Sequence, residues 1–350
     1  MLATYASFLA VLPASALVGL AWATVRLPGE GTAAAITIGV AVAIALAVVW
    51  GRATWSRPEA SIGVVLALAA ALAASLPFIV EGRFGILGTG LNPDMSQHLF
   101  AADRLAGAGS ERLIEEGYPL GPHSLVVALT ALGPGLVQAF NGLMVAIVAI
   151  TALTVSGFFR DAAAWARLAG ALLVAVAYLL ASNHIQGAFK ESLEALFLLA
   201  FAIGLGEVAR GWTQGRPRPR LLRAVPLAVL AVGAIYTYSF PGLAWLAGAL
   251  GVWGAIELGR AAQRGGPQQA LRLVRQAAPA GLVALGVFAA ATLPEIGRVL
   301  EFAKFETFNP DGEGLGNLFN RISPLEALGI WPSGDFRVEP GDGAAPAVVF

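Results

Sequence analysis

Apolar runs long enough to cross a bilayer, about 17–25 residues each, recur at residues 6–25, 32–50, 61–80, 136–158, 165–182, 190–208, 224–240, 242–258 and 277–296. Nine such runs predict an all-α fold, a single polytopic transmembrane domain covering residues 1–350. The pattern breaks most strongly over residues 81–135, where Asp94, His98, Asp103, Arg104, Glu111, Arg112, Glu115, Glu116 and His123 fall between apolar runs. Within that stretch, residues 95–106 place Met95, Leu99, Ala102 and Ala106 on one helical face, and Asp94, His98, Ala101 and Leu105 on the adjoining one, as in a helix lying on a membrane. Residues 122–133 are apolar but too few to span, so a second interfacial helix is expected there. A second polar segment covers residues 297–343, and residues 344–350 resemble the start of another apolar run. The sequence is therefore expected to be the N-terminal part of a longer protein.

Composition agrees with a membrane protein. Hydrophobic residues make up 57% and charged residues 13%, with a mean hydropathy of +0.73, against about 45–50% apolar and 25% charged in soluble domains. The 22 basic and 22 acidic residues cancel, so nothing global attracts nucleic acid and no nucleic-acid partner is expected. The absence of cysteine excludes disulfides, thiolate metal sites and cysteine nucleophiles.

Charge placement sets the expected orientation, because Lys and Arg in short loops stay on the cytoplasmic side. The loops 209–223 and 259–276 are arginine-rich and should be cytoplasmic, so the apolar stretch between them must cross twice, with a turn signal at Tyr238-Ser239-Phe240-Pro241-Gly242. Counting back puts residues 160–167 and the N-terminus inside, and 81–135, 183–189 and 297–343 outside. The run Arg216-Pro217-Arg218-Pro219-Arg220 reads as a determinant of topology attracted to anionic headgroups. No GxGxxG, Walker, HExxH or GxSxG signature stands in a context that would confirm it.

The outer loop also carries a resemblance. An acid near its start, an amphipathic helix, Tyr118-Pro119-Leu120-Gly121-Pro122-His123 leading into a short apolar helix, and a full run ending in Phe158-Phe159-Arg160-Asp161 resemble the N-terminal half of GT-C superfamily membrane glycosyltransferases. The similarity continues through Gln186-Gly187-Ala188-Phe189-Lys190-Glu191 and Tyr236 to Gly242, covering roughly residues 61–296. Two features depart from the protein-mannosyltransferase-like branch: its Asp-Glu pair is here Asp94-Met95, and two apolar runs precede the one entering the loop. The resemblance implies a polyprenyl-phosphate-linked sugar as donor, membrane lipids as surroundings, a plasma (inner) membrane location with an outward-facing active site, and substrate contacts from His123, Glu191 and Tyr238.

Such a transfer needs a base for the acceptor hydroxyl and a positive group for the departing phosphate. Asp94 is the candidate base: Asn92 as cap and Pro93 at the first helical position would put it in a first turn, where the helix dipole favours a carboxylate. Stabilising that helix end alone is the alternative role. Lys190 is the candidate phosphate ligand, with Arg104 behind it; an intrahelical pair with Glu191 or Glu194 is the alternative. Asp94 and His98 lie four apart and could share a divalent ion, Mg or Mn, with His123 or His184 as third ligand. A hydrogen-bonded Asp94–His98 pair would explain the same spacing. A secondary transporter or lipid flippase, and an O-antigen-type polymerase or ligase, are the competing functions. A transporter would carry ionisable or helix-breaking residues deep inside its spans.

Overall fold

The computed structural model describes residues 11–50, 57–88, 94–107, 114–213 and 221–304, and among these every regular element is a helix. In chain order they are α1 (Val11–Val25), α2 (Glu30–Trp50), α3 (Arg57–Glu81), α4 (Asp94–Ala106), α5 (Gly121–Thr130), α6 (Leu136–Phe158), α7 (Ala164–Ala175), α8 (Tyr178–Gln186), α9 (Phe189–Thr213), α10 (Val225–Thr292), a 3₁₀ turn (Leu293–Glu295) and α11 (Ile296–Phe302). The proposed Asn92-Pro93 cap, the centre of the arginine-rich loop 209–223 and the outer segment beyond residue 304 lie outside the described residues.

Four helical stretches among the described residues are long and apolar enough to cross a membrane: Glu30–Ala47, Glu59–Glu81, Leu136–Phe158 and Val225–Phe302. The bent pair Ala164–Ala175 and Leu179–Gln186, angled at 51°, makes a fifth if it counts as one span. Large apolar side chains such as Ile36, Val40, Ile44, Val64, Leu68 and Leu72 point outward from α2 and α3, an exterior suited to lipid rather than water.

Among the described residues the count of nine spans is not confirmed. The first run is described only from Val11, α9 carries Lys190, Glu191, Glu194 and Glu207 in its length, and the last three runs belong to one helical element, α10. That element doubles back on itself. Tyr236 donates its hydroxyl to the Ala291 carbonyl across 2.9 Å, whereas a straight helix would separate residues 55 apart by about 80 Å. The first reversal is at Ser239, whose φ of 58° and ψ of −148° cost a residue with a Cβ about 1–3 kcal/mol. The second break is at Gly265 and Gly266, the latter at φ 69°, where glycine pays no steric penalty. The turn signal at 238–242 is thus a real reversal. Gly242 is needed there because a Cβ would press on the Ala234 carbonyl and the Glu194 carboxylate.

Ion pairs and hydrogen bonds show which residues share an end of the bundle. Arg167 reaches Glu59 at 2.9 Å and Arg160 reaches Glu207 at 3.8 Å, gathering the start of α3, the α6–α7 connection and the end of α9. At the other end Asn141, fully buried, donates to the Gly85 carbonyl at 3.0 Å, and Arg26 meets Glu295 at 2.6 Å.

The two short helices of the 81–135 stretch behave differently from each other. α4 is amphipathic as expected, with Met95, His98, Leu99, Ala101, Ala102 and Leu105 buried. α5 is a correction to the interfacial reading: Gly121 to Ala128 are all buried, and α5 packs against α1, α2 and α4. A helix apolar on all sides gains most from being enclosed. A Cβ on Gly121 would strike Val18 and the Tyr236 carbonyl, so glycine is what lets α5 pass between α1 and α10.

Candidate functional site

The start of α9 is where the polar groups converge. Phe189, fully buried, packs its ring against His98 (4.9 Å between centroids), His123 (5.1 Å) and Phe140 (4.6 Å), which fixes the next residue, Lys190, in the interior. Lys190 is 7% exposed. Its ammonium donates to the Tyr118 hydroxyl at 2.7 Å and lies 4.2 Å from the Tyr118 ring centroid and 5.3 Å from that of Tyr238. Among the described residues no carboxylate lies within ion-pair distance of it, so the intrahelical pairing with Glu191 or Glu194 does not form. An enclosed cation held by hydroxyl and ring faces alone is costly, and two of its three donors remain for an anion.

Glu191 does not neutralise the lysine because it is turned to α10: its carboxylate accepts the Tyr238 hydroxyl at 3.1 Å, and its second oxygen is buried without a partner. Asp94, half-buried in the first turn of α4, lies within electrostatic range of the same Tyr238 hydroxyl. Asp94, Tyr238, Glu191 and Lys190 therefore share one neighbourhood assembled from three helices.

His98 and His123 form a buried pair, Nδ1 to Nε2 at 3.2 Å. Burial pushes both imidazoles well below the usual histidine range, the Lys190 charge adds to that, and His123 further disfavours a charge on His98. Both rings are thus neutral at pH 7. His123 keeps its Nδ1 without a partner, a polar atom facing the protein interior. The linkage has a definite sign. The rings stay neutral in the folded chain but take protons near pH 6.5 once unfolded, so stability is full above pH 6.5 and falls as pH drops below it. Thermal scans between pH 8 and pH 5 should show a declining Tm, with a shallower slope in His98→Gln, each ring contributing up to about 1.4 kcal/mol per pH unit. A wild-type Tm that is flat below pH 6.5 would contradict the neutral pair.

Two residues singled out from the sequence are placed elsewhere. Arg104 lies on the exposed face of α4, its guanidinium 4.9 Å from the Phe100 ring, so it does not stand behind Lys190. His184 bonds the Ala74 carbonyl of α3 through Nε2 at 2.8 Å. Among the described residues no three His, Asp or Glu side chains gather as metal ligands, and the set Asp94, His98 and His184 is not assembled.

Several contributors carry little sequence signal. Tyr118, which holds Lys190, stands in the Tyr-Pro-x-Gly-Pro-His run but 72 residues away. Its loop is clamped from above: Arg298 donates to the carbonyls of Tyr118 at 2.8 Å and Ile114 at 3.2 Å, and Phe302 meets the Tyr118 ring edge-on at 6.0 Å. Gly117, at φ 71°, allows this because a Cβ would collide with the Arg298 backbone. Arg26 and Arg298 sandwich the Trp22 ring at 4.3 and 4.2 Å and share the Glu295 carboxylate.

A groove of about 860 Å³ runs between α3, the segment 83–88 and α8, lined by Ala74, Pro77, Phe78, Leu180 and His184, with Glu81 and Arg83 among its polar residues. It approaches the Lys190 neighbourhood through Leu87, which lines it and donates its N–H to Met95 Sδ at 2.9 Å. No family model, curated protein or solved structure matches this chain.

Proposed function

We propose that this protein is a membrane glycosyltransferase of GT-C type that transfers a sugar from a polyprenyl-phosphate donor on the outer face of a plasma membrane. The observation that carries the reading is Lys190: a buried ammonium without a carboxylate partner among the described residues, flanked by hydroxyl-bearing rings and sharing Tyr238 with Asp94. In the transfer, the acceptor oxygen attacks the anomeric carbon as Asp94 takes its proton. The carbon–oxygen bond to the phosphate breaks, and the leaving polyprenyl phosphate keeps the electron pair, its new charge met by Lys190. Glu191 and Tyr238 orient the sugar, and the apolar groove beside α3 receives the lipid chain. Were a divalent ion, Mg or Mn, bound, Asp94 and His98 would be the residues to hold it, and it would supply positive charge toward the donor phosphate.

A secondary transporter is favoured by one different observation, the broken α10 with buried carboxylates beside it. The deciding experiment incubates the full-length protein in proteoliposomes with a polyprenyl-phosphate sugar labelled on the sugar. Release of free polyprenyl phosphate with label passing to an acceptor supports the transferase. Label that crosses the bilayer on an intact donor rejects it.

A further inference from the structure

The reversal of α10 leaves a set of oxygens with nothing to bind. Glu194, one turn beyond Lys190 on α9, is 6% exposed, and neither carboxylate oxygen has a hydrogen-bond partner. Thr237 and Ser239, at the break itself, are at least as deeply buried and their hydroxyls are equally unpartnered. Pro241 brings no N–H, so the Thr237 carbonyl loses its helical donor. The Glu194 carboxylate is aimed into this break. The point a Cβ on Gly242 would occupy lies 3.0 Å from Glu194 Oε1 and 3.0 Å from the Ala234 carbonyl oxygen, so these two oxygens are at most about 6 Å apart.

We infer that this break is a binding site for a hard monovalent cation, Na+, held between the Glu194 carboxylate and the carbonyl and hydroxyl oxygens of residues 234–239. The donor set is all oxygen, without imidazole or thiolate, which selects hard cations over transition metals. It contains one carboxylate, and the Lys190 charge a turn away opposes a second positive charge more than a first. An uncompensated interior carboxylate is unfavourable, and one bound cation removes that cost without a partner side chain. Carbonyls freed where a membrane helix is interrupted are suited to this role, and Gly242 keeps the space between the two facing oxygens open. The site is separate from the phosphate-binding reading of Lys190 and does not depend on it.

The test is thermal denaturation of the full chain in detergent at pH 8, titrated with NaCl against choline chloride at constant ionic strength. Wild type should gain a saturable rise in Tm of about 2–4 °C in NaCl alone. Glu194→Gln should lose it. Gly242→Ala, which keeps the charge but fills the gap, should raise the NaCl midpoint several-fold, and decides the matter if Glu194→Gln does not yield folded protein. Equal Tm in the two salts, or a Na+ response that survives in Glu194→Gln, overturns the proposal. So does a Tm that follows pH but not Na+, which would assign Glu194 as a protonated acid.

Discussion

Lys190→Ala is expected to lower kcat/KM for a lipid-phosphate donor by about 10–150-fold, the equivalent of the 1.5–3 kcal/mol typical of a lost hydrogen bond to a charged group. The side chain is well placed for that effect because it is enclosed, donates only one of its protons to protein, and faces the rings of Tyr118 and Tyr238. Lys190→Arg should recover part of the loss: the charge survives, but a planar fork is broader than an ammonium and must displace one of the two rings. Tyr118→Phe should act in the same direction with a smaller effect, since it frees the ammonium without removing it. Donor kinetics measured with saturating acceptor decide the point. An alanine variant with unchanged kcat/KM would leave Lys190 a structural residue of the aromatic cluster and remove the main support for phosphate chemistry.

How far the site could be read from the chain follows from the range of the interactions that build it. α4 was legible because its polar and apolar residues separate cleanly at helical spacing, and both faces named from that spacing are the ones buried, except for the half-buried Asp94 and the exposed Ala106. The reversal at 238–242 was legible because Pro241 and Gly242 punctuate an apolar run. α5 was not, since a short apolar helix looks the same whether it lies on a bilayer or passes between α1 and α10; only Gly121, tight against Val18 and Tyr236, separates the two cases. Tyr118 and Lys190 meet across 72 residues and Arg298 reaches Tyr118 across 180, separations that no local periodicity encodes. Arg104, expected behind Lys190 as a second phosphate ligand, stands instead on the exposed face of α4, six residues from the buried His98.

Asp94→Asn is expected to have the larger effect, a drop in turnover of about 10²–10⁴-fold, the usual consequence of removing a general base. Three features converge on the residue. It stands in the first turn of α4; it is half-buried, open enough to receive an acceptor; and it shares the Tyr238 neighbourhood with Lys190. The proposed base and the proposed phosphate ligand stand on different helices, α4 and α9, as a reaction with a nucleophile on one side of the sugar and a leaving group on the other requires. Asparagine keeps the size and the capacity to accept hydrogen bonds at a helix start, and removes only the basicity, so expression, Tm and donor binding should remain close to wild type. His98→Ala should cost less turnover unless the two residues share a divalent ion, in which case added Mg or Mn should partly restore activity. The measurement is single-turnover transfer by purified, folded variants at matched donor occupancy. Wild-type turnover in Asp94→Asn would dismiss Asp94 as the base and shift attention to Glu191, the carboxylate that accepts the Tyr238 hydroxyl.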